Sequence, residues 1–128
     1  MKKRLVLGFL FVAAVNVILA GPPSYVPTKD GVLVFTDPVF TGTSNAVKLE
    51  VVSDNIIRVI AAPGKEINAV QSLITVYNRS VNTGWDITPS KDNITLKTRA
   101  LTATVNLRTG VVSFWDPTGK KILSEKPF

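Results

Sequence analysis

The residues of this chain that could do acid–base chemistry are its nine carboxylates. Such chemistry needs two carboxyl groups held close together, one of them with a pKa raised by an apolar setting. Nearly all nine lie at predicted turns or on the solvent-facing sides of predicted strands, where Asp is a common turn residue. They are Asp30, Asp37, Glu50, Asp54, Glu66, Asp86, Asp92, Asp116 and Glu125. The sequence therefore predicts no catalytic residue in this chain.

Other catalytic and metal-binding chemistries lack their usual groups. The sequence contains no His, which removes the commonest metal ligand and the usual general base. It contains no Cys, so the fold uses no disulfide. Gly42, Gly64 and Gly84 each stand alone, and no glycine-rich phosphate-binding loop occurs. We therefore expect neither a metal nor a cofactor.

The two tryptophans are the best candidates for binding, because a flat indole face can stack on a sugar ring. Trp85 lies in a polar loop next to Gly84, and the loops of a sandwich are where binding groups are presented. We predict substrate contact at Trp85, with packing as the alternative. Trp115 ends a strand beside Val111 and Ser113, and we expect it to pack against a sheet or a neighbouring domain.

The start of the chain has the layout of a secretory signal peptide. Met1–Arg4 is basic, Leu5–Ala20 is almost entirely apolar, and Gly21-Pro22-Pro23 breaks any helix. The apolar run is shorter than the roughly 20 residues that span a bilayer, so a retained membrane anchor is the weaker alternative. We predict residues 1–20 to be a signal peptide of a secreted or periplasmic bacterial protein, with no membrane attachment after cleavage.

Removal of this signal changes the charge balance. Without Lys2, Lys3 and Arg4, twelve basic residues face nine acidic ones, and the net charge falls from +6 to +3. The remaining basic residues are scattered, and Lys120-Lys121 is their only adjacent pair. This pattern is typical of a solvated surface and predicts no nucleic-acid binding.

The segment from Leu96 to Glu125 predicts an antiparallel meander. Thr109-Gly110 and Pro117-Thr118-Gly119 are turn sequences, because Gly accepts the positive φ that tight reversals need. Between Leu101 and Arg108 apolar and polar residues alternate, which indicates strands with one solvated face. The predicted strands of this part are Asn93–Thr98, Leu101–Leu107, Val111–Trp115 and Lys121–Ser124.

The first half of the mature chain also predicts strands rather than helices. After a proline-rich lead-in over residues 21–30, strands are predicted at Gly31–Thr36, Asn45–Val52, Asn55–Ala62 and Leu73–Tyr77, with a short run around Trp85–Thr88. The run Ile56–Ile60 is apolar apart from Arg58, so we expect both of its faces to be covered. Strands recurring every 8–12 residues favour two antiparallel sheets packed face to face.

Three blocks of the chain resemble the N-terminal β-sandwich domain of glycoside hydrolase family 31. Asp30–Val34 is similar to its opening strand, and Val47–Val59 is similar to its next hairpin, with Arg58 after two apolar residues. The third block is Leu96–Val105, followed by Thr109-Gly110, the strand to Asp116, and Gly119-Lys120. Together the blocks cover nearly all of the mature chain in the right order.

This resemblance implies a galactose-mutarotase-like sandwich that precedes a (β/α)8 barrel in retaining α-glucosidases and α-xylosidases. In the family, two Asp residues of the barrel carry out catalysis, so no catalytic residue transfers to this chain. Residues 31–128 are then an incomplete domain, and the partners are the chain's own barrel and an α-linked oligosaccharide. We expect a truncated, non-catalytic fragment of an exported α-glycosidase. The alternative is a stand-alone secreted sandwich that binds carbohydrate or another envelope protein.

Overall fold

The computed structural model describes residues 24–37, 44–67 and 84–126, which form two antiparallel β-sheets. The first sheet has four strands in the order β1 (Tyr25–Thr28), β2 (Gly31–Phe35), β3 (Ala46–Ser53) and β4 (Ile56–Ala62). The second has five strands in the order β5 (Asp86–Pro89), β6 (Asn93–Lys97), β7 (Thr102–Asn106), β8 (Val112–Trp115) and β9 (Lys121–Ser124). These residues include no helix, and so none that could span a bilayer. The predicted all-β antiparallel sandwich is confirmed.

The strands from β2 to β4 and from β6 to β9 lie where the sequence places them, within one or two residues. The strand β1 is the exception, because it forms inside the predicted lead-in and pairs with β2. Pro27 is tolerated there since β1 is an edge strand, where a missing N–H costs no ladder bond on the free side. The signal peptide prediction and the predicted strand at residues 73–77 lie outside the described residues.

The hydrophobic core lies between the two sheets and follows from the period-two alternation of each strand. β2 and β6 face each other across it. The buried residues from the four-stranded sheet are Val32, Val34, Val47, Leu49 and Ile57. Those from the five-stranded sheet are Ile94, Leu96, Ala103, Val105 and Val112. The inner strands therefore supply most of the core, and of the four edge strands only β4 adds a member, Ile57.

The strand β4 is not covered on both faces as the sequence predicts. Ile57 points into the core and is 9% exposed, whereas Ile56 is 53% exposed. Arg58 is the polar residue that interrupts this apolar strand. Its guanidinium lies 3.5 Å from the carboxylate of Glu50, directly opposite on β3, so the ion pair accounts for its position. Glu50 is only 6% exposed, so the Arg58 charge compensates the burial of this carboxylate.

The predicted turns are confirmed by their backbone. Gly110 has a φ of 69° and Gly119 a φ of 86°, the left-handed conformation that favours glycine. In the second turn the Asp116 carboxylate accepts hydrogen bonds from the backbone N–H groups of Thr118 and Lys120 and from the Thr118 hydroxyl. The Thr118 hydroxyl bond leads the causes that lower the pKa of Asp116 below its ordinary value.

Two side chains join the sheets at one end of the sandwich. Thr98 is 4% exposed, and its hydroxyl contacts the carbonyl of Asp54, in the turn between β3 and β4. Next to it, the Arg99 guanidinium lies 2.7 Å from the Asp54 carboxylate. The turn of one sheet is thus held to the chain that leaves β6 in the other.

Asp30 should make the stability of the fold sensitive to acid. Burial raises the pKa of this carboxyl, but the hydrogen bonds from Lys48 and Thr28 and the Lys48 charge outweigh it, so the net pKa lies below the ordinary value. A carboxylate whose pKa is lowered in the folded state stabilises the fold at pH values above its pKa in the unfolded state, which is about 3.9. This stabilisation is lost as the pH falls through the pKa of the folded state. The free energy of unfolding of Asp30→Asn should therefore depend less on pH in the acid range than that of the wild type.

The measurement is the urea midpoint of the wild type and the variant between about pH 6 and pH 2. The gap between the two proteins should narrow as the pH falls. Asp92→Asn is the matched control, since Asp92 is exposed. Parallel curves for wild type and Asp30→Asn would show that the pair with Lys48 does not contribute to acid sensitivity.

Candidate functional site

Several carboxylates of the described residues make structural contacts. The Lys48 ammonium lies 2.9 Å from Asp30, and Glu50 and Asp54 form ion pairs with Arg58 and Arg99. The Glu125 carboxylate accepts a hydrogen bond of 2.9 Å from the backbone N–H of Val112. The part of the chain that the structure describes contains no group of three potential metal ligands. These acids stabilise strand pairs and turns.

Trp85, the predicted substrate-contact residue, lies just before β5. Its side chain is partly buried and packs against the hydrophobic core. The ring therefore makes the packing contacts that the sequence left open as the alternative to substrate binding. Substrate contact at Trp85 stays a prediction. Polar side chains are grouped in another part of the structure, on the outer face of the five-stranded sheet.

A row of hydroxyl groups crosses all five strands on that outer face. The register pairs Thr88 with Thr95, Thr95 with Thr104, Thr104 with Ser113, and Ser113 with Ser124. Since directly opposed residues in a sheet point to the same side, these five side chains form one continuous line, called here the hydroxyl row. Within it, the Ser113 and Ser124 hydroxyls lie 2.8 Å apart and share a hydrogen bond.

Trp115 stands beside the hydroxyl row. It is half-buried and pairs with Thr102 on one side and Lys121 on the other. Its indole Nε1 lies 3.5 Å from the Thr104 hydroxyl, so the ring leans toward β7. The Lys121 ammonium lies 4.7 Å from the ring centroid in a cation–π contact. Trp115 is thus on the polar outer face rather than in the core between the sheets.

On the other side of the row, two amides complete the surface. The Asn106 amide nitrogen donates to the Asn93 side-chain oxygen at 3.2 Å. The Asn106 oxygen accepts from the backbone N–H of Arg108 and from both the N–H and the hydroxyl of Thr109. These bonds hold the Asn106 amide in one orientation. Four members of the row, all but Thr88, line an open groove of about 520 Å³ together with the two amides and Trp115.

Comparison with known proteins identifies the sandwich. No protein-family model matches the chain. Among solved structures, it is similar to the crystal structure of a GH31 α-xylosidase from Xanthomonas citri, with a TM-score of 0.66 and 34% sequence identity. The resemblance to glycoside hydrolase family 31 is confirmed. The match covers 80% of this chain but only 11% of the α-xylosidase, which is consistent with a fragment of a family 31 N-terminal domain.

The groove on the outer face of this sandwich is a feature that sequence reasoning missed. The alternation in Leu101–Arg108 places Thr102, Thr104 and Asn106 on one face, and the turn at Thr109-Gly110 determines which residues of β8 lie beside them. Together these signals are enough to predict the central part of the hydroxyl row. The outer members require the registers of β5 and β9, and the β8–β9 pairing shifts between Phe114 and Trp115.

Proposed function

We propose that this chain is the N-terminal part of an exported bacterial family 31 α-glycosidase that hydrolyses α-linked glucosyl or xylosyl residues. The observation that carries the proposal is the 34% identity to an α-xylosidase over 80% of this chain. Because the match spans 11% of the α-xylosidase, the activity belongs to residues beyond the matched part.

The sandwich would support a (β/α)8 barrel and would not catalyse the reaction itself. The ion pairs of Asp30, Glu50 and Asp54 support this role, since these three carboxylates contact cations within the sandwich and so contribute to its structure. Exposed apolar side chains give surface that a further domain could bury. They are Val26, Ile56, Ile122 and Leu123, which are 40–59% exposed.

The test is to sequence the source DNA beyond the codon for Phe128 and to assay the encoded protein. We expect an open frame that continues into alternating βα units with an Asp at the end of a barrel strand. The purified product should hydrolyse 4-nitrophenyl α-xyloside or α-glucoside, and its N-terminus should be Gly21 if the signal is cleaved as proposed. The 128-residue chain alone should release no nitrophenol.

Two results would contradict the proposal. A stop codon directly after Phe128 in intact DNA would favour the alternative of a stand-alone secreted sandwich. Hydrolysis by the 128-residue chain alone would show that it contains a catalytic pair, and the carboxylates outside the three ion pairs would be the first to replace.

A further inference from the structure

We propose that the outer face of the five-stranded sheet binds a neutral glycan chain, which lies across the strands along the hydroxyl row with a sugar ring against Trp115. This proposal does not rest on the proposed enzymatic function. It rests on the register of β5–β9, on the position of Trp115 and on the groove that they line.

The hydroxyl row matches a glycan in chemistry and in length. Each Ser or Thr hydroxyl can donate one hydrogen bond and accept two, which is also the capacity of a sugar hydroxyl. Five strands give four spacings of about 4.8 Å, so the row extends for about 19 Å, enough for several sugar rings in sequence. A polymer that repeats its hydroxyl groups along its length is the ligand class that a repeated row of hydroxyls fits.

The charge pattern favours a neutral glycan over an acidic one. The five members of the hydroxyl row are uncharged. Charged side chains occupy the adjacent row instead, where Asp86 is paired with Lys97 across β5 and β6, and Lys121 is paired with Trp115. Opposite signs thus lie side by side along that row, and a polyanion would meet Asp86 as well as the lysines. The Glu125 carboxylate also lines the groove, where it accepts a hydrogen bond from the backbone N–H of Val112, and its negative charge further disfavours a polyanion.

Trp115 supplies the apolar contact that a carbohydrate site needs. The ring lies beside the middle of the row, because its Nε1 approaches the Thr104 hydroxyl. An indole face packs well on the C–H face of a sugar ring while neighbouring polar groups bind the hydroxyls. Lys121 covers a face of the ring at 4.7 Å, but it is an exposed side chain with a long, flexible stem. A bound sugar ring could take its place.

The polar groups around the groove are already ordered, which lowers the entropic cost of binding. The Asn106 oxygen accepts three bonds within its own turn, and its amide nitrogen contacts Asn93. A protein domain is a poorer occupant of this face, since the cores of protein interfaces are apolar and this groove is lined mainly by hydroxyl and amide groups.

The chain offers a direct test, because Trp85 and Trp115 are its only two tryptophans. Trp85→Phe leaves Trp115 as the single tryptophan, and Trp115→Phe leaves Trp85. Each variant of the 128-residue chain is titrated with cellohexaose, maltohexaose, a xyloglucan heptasaccharide and hexagalacturonic acid at one ionic strength. We expect at least one neutral oligosaccharide to shift the emission of Trp85→Phe and none to shift that of Trp115→Phe.

Calorimetric titrations then measure the contribution of each part of the site. Trp115→Ala should weaken binding at least tenfold, and the double variant Thr95→Val/Thr104→Val should do the same with little change in strand preference. Thr28→Val is the matched control, because it removes a hydroxyl from the other sheet, and its affinity should equal that of the wild type. Circular dichroism before each titration confirms that the variants are folded.

Three outcomes would overturn the site. One is that none of the three neutral oligosaccharides changes the fluorescence of the Trp115 reporter. Another is that Trp85 alone reports binding, which would move recognition to the loop before β5. The third is tighter binding of hexagalacturonic acid than of every neutral probe, which would make the lysines and not the hydroxyl row the determinant.

Discussion

Replacing Gly31 with alanine is expected to prevent the described sandwich from folding. A Cβ at this position would lie 1.9 Å from the carbonyl oxygen of Leu49, far inside van der Waals contact. Gly31 also has a φ of 156°, a conformation that L side chains rarely adopt. The substitution therefore combines a backbone clash with backbone strain.

The clash cannot be relieved cheaply, because the atom that it meets belongs to a central strand. Leu49 lies on β3, which is paired with β2 on one side and β4 on the other. Moving its carbonyl would disturb both ladders and the core residues on them. We expect a loss of more than about 4 kcal/mol in the free energy of unfolding, a large part of the 5–15 kcal/mol typical of a domain.

The measurement is thermal unfolding of Gly31→Ala followed by far-UV circular dichroism, with Gly84→Ala as the matched control. At Gly84 a Cβ would meet nothing within 4 Å, and the residue does not have a positive φ. This control should change stability by less than about 1 kcal/mol. A Gly31→Ala variant as stable as the control would mean that β2 and β3 do not approach each other as described.

The closing meander could be predicted from the sequence because each of its signals is local. The turns at Gly110 and Gly119 and the alternation between them fix the strands within a few residues. The strand β1 could not be predicted in this way. Val26 and Pro27 give no clear alternation, and Tyr25–Thr28 becomes a strand only because β2 offers it a paired edge.

The candidate site shows the same division between local and long-range information. Trp85 attracted attention because it is an aromatic residue in a polar loop, and the structure shows it packed against the core. Trp115 was expected to pack, and the structure places it beside a groove on the outer face. The side on which a strand residue lies depends on register, and a shift of one residue reverses it. Single residues seldom reveal that register.

Arg58 shows how pairing across strands explains a polar residue in an apolar run. A long cationic side chain in such a run can pack its stem along the sheet and place its charge at the edge. In the structure Arg58 makes an ion pair within the sheet, to Glu50 on the neighbouring strand. The run Ile56–Ile60 therefore needs no second covering layer, which is why one of its faces stays partly exposed.

Replacing Leu49 with alanine is the second substitution with a large expected effect, and its cause is lost packing instead of a clash. Leu49 is fully buried, and it is flanked by Val32 on β2 and Val59 on β4. Removing its side-chain methyl groups leaves a cavity that the rigid sheets cannot close. Substitutions of this kind cost about 2–5 kcal/mol, and a central position should lie in the upper half of that range.

The same Leu→Ala substitution at Leu123 is the control, because it removes the same atoms from an exposed position and so isolates the effect of burial on stability. Leu123 is 59% exposed on the edge strand β9, so Leu123→Ala should cost about 0.5 kcal/mol or less. Leu49→Met keeps the volume and should cost less than about 1.5 kcal/mol. Urea denaturation at neutral pH gives all three values on one scale. If Leu49→Ala and Leu123→Ala lose equal stability, the two sheets do not enclose a common core at Leu49, and the sandwich arrangement itself would have to be revised.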